Sequence, residues 1–156
     1  MLDCGEPQHA LELKLKEIEL LESARKQFPR DGRPIADVGE AYTSVSSILH
    51  DIGKREESIL YSHKAKNAFR SIFNSDQFPR FSYDSYSFVL WCLANNAKTT
   101  ADRYTFLKES VKVLERAIEN KVYVKKNKWR LEQTKTALAA LKQQKYLPLS
   151  VSYVIN

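Results

Sequence analysis

The sequence predicts an all-α fold built from antiparallel helical hairpins. Three observations carry this prediction: apolar residues recur at helical spacing, a set of apolar and small positions repeats along the chain, and turn-forming residues are scarce. Only four glycines and five prolines occur among 156 residues, which favours helices over a turn-rich β architecture. A chain of this length is expected to form one domain with a substantial core.

The predicted helices are bounded by turn and capping residues in chain order. Pro7 and Pro29 stand at the two ends of the first helix, and Gly53 makes the turn inside a central hairpin. Ser82 or Asp84 is expected to cap the helix that follows. The predicted ranges are 8–28, two helices within 38–69 after a polar connector at 29–34, then 82–97, about 100–121 and about 125–145.

Internal repeats link these helices. The segment 16–24 aligns with 57–65 and with 109–117 through a β-branched residue, an apolar residue two positions later and an alanine six positions later. A second pattern recurs at a shift of 44 positions, from 42–49 to 86–93. Because one such hairpin cannot bury its own apolar faces, the repeats predict side-by-side stacking of several hairpins.

The tetrapeptide Gln-Phe-Pro-Arg also recurs, at 27–30 and 77–80, and closes a helix each time. We therefore expect a single helical-repeat domain of about three hairpins over 1–145. The ending 146–156 is apolar, β-branched and interrupted by Pro148, which predicts an extended tail. That tail would fold back over the last helix or dock on a second copy as a homodimer, unless the chain is a piece of a longer repeat protein.

The central hairpin carries the residues of a known repeat. These are Leu49, Gly53, Lys54, Glu56, Glu57, Ser58, Ile59 and Ala65. The pattern resembles the tetratricopeptide repeat (TPR) family in its longer, kinesin-light-chain-like form, although Tyr42 and Tyr86 stand where tryptophan is common. The resemblance implies a superhelix of hairpins, a non-catalytic scaffold that binds a peptide or helix of a partner protein on the concave face of its first helices.

The resemblance also implies which residues would line that face. They are Glu40, Thr43, Ser47 and His50 from the first helix of the central hairpin, and Asp84, Ser87, Trp91 and Asn95 from that of the next. Lys135 and Lys142 join them if the last helix aligns with the others. An exposed Trp91 would anchor a partner, and the alternative is that Trp91 packs in the core.

The net charge of +6 is concentrated in one segment. Residues 120–145 carry eight basic residues and one acid, Glu132, so the net charge of this segment is +7. The rest of the chain therefore has a net charge of about −1. Lys126 and Arg130 have the spacing with which some TPR domains hold a terminal carboxylate, although the asparagine and lysine that complete such clamps are absent. The same charges would suit an acidic protein, a membrane surface, nucleic acid or a solvated capping face. We expect another protein as the partner, with a basic nucleic-acid-binding protein as the weaker alternative.

The segment 49–54, Leu-His-Asp-Ile-Gly-Lys, supports a competing hypothesis. It resembles the signature of metal-dependent phosphohydrolases named for an adjacent His-Asp pair, here His50 and Asp51. Such a site would need a further histidine upstream and an aspartate downstream, and His9 and Asp102 are the residues that fit that order. In the alternative interpretation the pair lies on a polar surface beside the turn. We therefore expect no catalytic residue, cofactor or metal, with the hydrolase as the rival.

The two cysteines and the ends of the chain indicate a compartment. Cys4 and Cys92 form no disulfide framework, which predicts a reducing environment. No apolar run approaches the roughly 20 residues that span a bilayer, and the acidic start at 1–8 lacks a basic and then apolar leader. These features predict a cytoplasmic protein.

Overall fold

The computed structural model describes residues 5–143, and every regular element in that range is an α-helix. The helices are α1 (Gly5–Gln27), α2 (Gly32–Asp51), α3 (Arg55–Ile72), α4 (Ser82–Asn96), α5 (Thr100–Glu119) and α6 (Val124–Lys142). The predicted all-α class is confirmed, and the tail predicted at 146–156 lies outside the described residues. None of the described helices is both long enough and apolar enough to cross a membrane.

The chain divides into two compact units, Met1–Ser82 and Tyr83–Asn156. In the first unit α2 packs against both α1 and α3, and in the second α5 packs against α6. The single domain expected over 1–145 stays a prediction.

The start of α2 differs from the prediction. The helix begins at Gly32 rather than at Val38, so part of the expected connector is helical. The side chain of Asp31 accepts a hydrogen bond from the backbone N–H of Arg33 at 2.9 Å and thereby caps the helix. Pro34 lies in the first turn, where its missing N–H leaves no helical hydrogen bond unmade. The proline is therefore compatible with a helix that begins inside the expected polar connector.

The turn between α2 and α3 is the one that the sequence predicts. Gly53 has a φ of +82°, in the left-handed region that favours glycine. The N–H of Gly53 donates to the carbonyl of His50 at 3.0 Å, and that of Lys54 donates to the carbonyl of Leu49 at 2.8 Å. These bonds satisfy carbonyls that the end of α2 would otherwise leave unpaired. The turn thus joins α2 and α3 tightly into the central hairpin.

Small side chains let α2 and α3 approach closely. Ser46 Oγ lies 2.6 Å from Ser62 Oγ, and Ser58 Oγ donates to the Ser46 carbonyl at 2.7 Å. All three serines are buried. At Gly39 an added Cβ would lie 2.7 Å from the Phe69 ring, so a larger residue would force the two helices apart. On its other side α2 packs on α1 through a cluster of Leu11, Ile18, Ala41, Val45 and Leu49.

In the second unit α4, α5 and α6 share one apolar cluster, formed by Trp91, Ala94, Leu107 and Ala137. The turn from α4 to α5 contains no glycine. Instead the buried guanidinium of Arg103 donates to the carbonyl of Ala94 at 2.8 Å, and Asn96 Nδ2 donates to that of Cys92, also at 2.8 Å. Side chains thus satisfy carbonyls that a glycine turn would pair with backbone N–H groups.

Candidate functional site

One carboxylate of α4 is held by two cations of α6. Asp84 lies in the first turn of α4, where its Oδ1 accepts from Arg130 Nη1 at 2.8 Å and its Oδ2 accepts from Lys126 Nζ at 3.0 Å. Arg130 is fully buried, and its Nη1 also reaches Asn127 Oδ1 at 3.3 Å and Ser87 Oγ at 3.5 Å. These five residues form a polar cluster within the second unit, which we call the Asp84 cluster.

Burial changes the pKa of Arg130 but leaves its side chain charged. Burial lowers the pKa of Arg130 below its ordinary value, whereas the attraction and the hydrogen bond of Asp84 raise it. Because an arginine pKa lies far above neutral, the guanidinium stays charged and needs its counter-ion. An uncompensated charge at a buried position is costly, so Asp84 is a structural requirement for this side of α6.

The Asp84 cluster gives Lys126 and Arg130 a role that the sequence does not show. Their spacing suggests a site for a partner's carboxylate, and in the structure the carboxylate between them belongs to the chain itself. Arg130 has no exposed surface with which to meet a partner. The pair therefore ties α6 to α4, and the partner-binding role expected for Arg130 is not available in this structure.

Trp91 is a core residue, which is the second of the two alternatives left by the sequence. It is fully buried, its Nε1 donates to Thr134 Oγ1 at 3.1 Å, and its ring centroid lies 6.3 Å from that of Trp129. An exposed anchor at this position is thus wrong for this structure. The physical reason is that α6 packs over this side of α4 and covers Ser87 as well.

Cys92, next to Trp91, carries a half-buried thiol. Burial raises the pKa of that thiol to about 12. Because the thiolate is the nucleophilic form, the side chain is inert at neutral pH, in agreement with a packing role.

Asn95, the last residue of the face expected on α4, is half-buried, and its Oδ1 lies 3.5 Å from Arg103 Nη1. All four positions expected on α4 therefore make contacts within the second unit. The repeat alignment places residues along a helix, but it does not say which neighbouring helix covers each position.

The four positions expected on α2 lie on one side of that helix and are more open. Glu40 accepts a hydrogen bond from Ser82 Oγ at 3.1 Å, and Thr43 Oγ1 donates to a carbonyl one turn earlier in its own helix at 2.8 Å. Ser47 is half-buried, and the His50 side chain is 74% exposed. This side of α2 thus becomes more accessible toward its C-terminal end.

His50 and Asp51 form a loose surface pair. Their side chains are 74% and 80% exposed, and His50 Nδ1 lies 3.6 Å from Asp51 Oδ1. Across residues 5–143 no three His, Cys, Asp or Glu side chains are grouped so that they could hold a metal ion. His9 and Asp102 are exposed as well. The described part of the chain does not gather the four residues that the hydrolase hypothesis needs.

A line of lysines occupies the outer side of α6. Lys125, Lys128, Lys135 and Lys142 follow one another at intervals of three, seven and seven residues, and all four are exposed. Helical geometry places them within one stripe about 25 Å long. We call this stripe the basic row. Lys135 and Lys142 are among the residues that the sequence predicts for a partner protein, and their helical spacing extends to Lys125 and Lys128.

Most of the basic row has no ion-pair partner among residues 5–143. Lys135 Nζ lies 3.4 Å from Glu115 Oε1, an ion pair in which both side chains are about half exposed. Among the described residues no ion pair involves Lys125, Lys128 or Lys142. Within α6 the only acid is Glu132. The basic row therefore offers several uncompensated positive charges along one helix.

No protein-family model, curated protein or solved structure matches this chain.

Proposed function

We propose that this chain is a non-catalytic protein-interaction module of TPR-like helical hairpins, whose basic row binds an acidic helix or peptide of a partner protein. The observation that carries the proposal is the basic row itself. Three of its four lysines have no acidic partner among residues 5–143, and the four extend along one exposed side of α6. A helix that presents acids at matching intervals would neutralise them together.

The packing of the first unit supports the TPR-like part of the proposal. The family pattern requires a tight turn and small residues where paired helices meet. Gly53 makes that turn, and Ser46, Ser58 and Ala65 are buried at positions that the pattern assigns to small residues. In the second unit the buried polar side chains bond to one another, as Arg130 does to Asp84. A partner would therefore have to contact exposed residues.

The composition of the basic row favours an acidic protein over a nucleic acid. Proteins that bind single strands combine basic residues with exposed aromatic rings on which the bases stack. Along the described length of the basic row no exposed aromatic side chain lies between the lysines, and Trp129 is half-buried against Trp91. Tyr123 is exposed but precedes the helix.

The expected affinity follows from exposed ion pairs. Each such pair contributes about 0.2–1 kcal/mol and is screened by salt. Four such pairs would therefore add at most a few kcal/mol to the binding free energy. The charges would mainly orient the partner and speed its association. Apolar contacts of the partner helix would have to supply the rest.

The test measures fluorescence anisotropy of a labelled peptide helix with glutamates at intervals of three and seven residues. The full chain is expected to bind this helix more tightly at low salt than at high salt. The double variant Lys128→Glu with Lys135→Glu should weaken binding by about tenfold or more. Lys16→Glu with Lys26→Glu, two exposed lysines of α1, is the matched control and should bind as the unaltered chain does.

A single-stranded RNA and a DNA duplex are titrated under the same conditions. If either binds more tightly than the acidic helix, and Lys125→Glu with Lys128→Glu abolishes that binding, the protein-binding proposal is overturned in favour of nucleic-acid recognition.

A further inference from the structure

Helix α1 carries apolar side chains on two opposite sides. Leu11 and Ile18 are buried in the cluster that joins α1 to α2. Leu13 and Leu20 each follow one of these residues by two positions, which turns them about 200° further around the helix axis. They are 53% and 74% exposed, and Leu20 is the most exposed large apolar side chain among residues 5–143. We call these two leucines the leucine strip.

The leucine strip runs along the helix. Seven residues separate its two members, which corresponds to about 10 Å along the axis and only about 20° around it. The same seven-residue spacing of apolar side chains brings helices together in coiled coils. Because α2 packs on the opposite side of α1, it does not obstruct a helix that would lie along the strip.

One charge of each sign stands at the middle of the leucine strip. Lys16 and Glu17 are exposed, and helical geometry places them about 50° to either side of the line between the leucines. Lys16 makes no ion pair with any described residue. Glu17 Oε2 is paired with Lys14 Nζ at 2.6 Å, an exposed pair that leaves Oε1 able to accept from a second cation. The strip is thus positive on one side and negative on the other.

This distribution of charge fits a second copy of the same strip. When two parallel helices face each other across a two-fold axis, opposite sides of the two strips meet. Lys16 of each copy then lies beside Glu17 of the other, and the symmetry makes this contact twice. In an antiparallel pair the same sides meet, so that like charges would lie together. A partner helix with charges of one sign only would be repelled by one of the two residues.

We propose that the chain forms a parallel homodimer through α1, in which the leucine strips of two copies pack together and Lys16 of each copy pairs with Glu17 of the other. All of these residues belong to the first unit, so the dimer does not depend on the basic row of α6. Two leucines per copy make a small apolar contact, and we expect a dissociation constant on the order of 100 μM.

Sedimentation equilibrium of the full chain measures the dimer, at concentrations from about 10 μM to about 1 mM that bracket the expected constant. The average mass should rise from that of one chain toward twice that value. The double variant Leu13→Gln with Leu20→Gln should stay monomeric and keep its helix content by circular dichroism, because both side chains are exposed. Leu60→Gln, which alters a leucine of α3 as exposed as Leu13, is the matched control and should dimerise as the unaltered chain does.

Two charge variants test the pairing across the two-fold axis. Lys16→Glu should weaken dimerisation several-fold, because it brings carboxylates together in both contacts, and Glu17→Lys should do the same with ammonium groups. An equimolar mixture of these two variants should dimerise at least as tightly as the unaltered chain, since the mixture restores opposite charges in both contacts. A stabilising role within one chain would not produce this rescue.

Three results would overturn the proposal. The first is a chain that is monomeric at about 1 mM, ten times the expected constant. The second is a dimer that survives the two leucine substitutions, which would assign the contact to another surface, such as the segment 146–156. The third is a dimer that Lys16→Glu leaves unchanged, which would exclude the parallel pairing.

Discussion

Asp84 and Arg130 join the first turn of α4 to the middle of α6 through an ion pair of 2.8 Å between Oδ1 and Nη1. The two residues are unlike in exposure, because the Arg130 side chain is wholly buried and that of Asp84 is 27% exposed. The Asp84 carboxylate thus neutralises the buried guanidinium while part of it stays in contact with solvent. The spacing of Lys126 and Arg130 in the sequence suggests a binding site for a partner. In the structure both side chains pair with Asp84 and stabilise the packing of α6 on α4.

Removing the Asp84 charge should destabilise the second unit. Asp84→Asn leaves Arg130 charged and buried, and we expect a loss of about 2–4 kcal/mol in the free energy of unfolding, which is measured by chemical denaturation. Asp102→Asn, an exposed acid in the first turn of α5, is the matched control and should change stability by less than about 0.5 kcal/mol. Equal effects of the two substitutions would show that the ion pair contributes nothing.

Trp91 should behave as a packing residue. Trp91→Ala would empty a fully buried site and lower the free energy of unfolding by about 3–5 kcal/mol. A double-mutant cycle of Trp91→Phe with Thr134→Val should show a coupling energy of about 1 kcal/mol, because it isolates their hydrogen bond. If Trp91→Ala folded with unaltered stability but lost the acidic helix, an exposed anchor would be the better description.

Alkaline pH should reveal the environment of Tyr42. Burial first, and then the hydrogen bond to Glu22, raise the pKa of its phenol to about 12. The unfolded chain releases this proton near the ordinary pKa of about 10. The stabilisation is therefore complete below about pH 10 and is lost as the pH rises toward 12. Denaturation measured across this window should show a smaller decline for Tyr42→Phe than for the unaltered chain, and equal declines would contradict the assignment.

Gly39 and Gly53 should respond to alanine for different reasons. At Gly53 nothing lies within 4 Å of an added Cβ, so the cost is backbone strain at φ +82°, about 1–2 kcal/mol. At Gly39 an added Cβ would meet the Phe69 ring at 2.7 Å, and overpacking of this kind costs about 1–3 kcal/mol. Gly53→Asn should recover part of the first loss, since asparagine tolerates this φ. Phe69→Leu should recover part of the second in the Gly39→Ala background, and the absence of either rescue would refute the corresponding explanation.

Much of the fold is predictable from the sequence because it depends on local signals. Helical spacing gives the helices, and Gly53 gives the first hairpin turn. The start of α2 at Gly32 differs from the prediction because 29–34 is polar and resembles a connector, whereas the cap at Asp31 starts the helix within it. The turn after α4 could not be predicted, since Arg103 supplies its hydrogen bond from the next helix.

The candidate site was harder to predict than the fold. The burial of Trp91 depends on which helix covers α4, and the partner of Asp84 lies 46 residues away in the chain. Periodicity along one helix contains no information on either contact. The basic row is the opposite case, because the spacing of Lys125, Lys128, Lys135 and Lys142 is visible in the sequence and needs only the exposure of one helix side.

A charge exchange across the proposed interface tests the central claim most directly. All four lysines of the basic row are replaced by glutamate, and the affinity of the full chain is measured for the acidic helix and for a matching helix with lysine at the same positions. We expect the unaltered chain to bind the acidic helix and the variant to bind the lysine helix, with the two chains equally stable to within about 1 kcal/mol. A variant that still binds the acidic helix with the original affinity would contradict the claim that the basic row of α6 is the recognition surface.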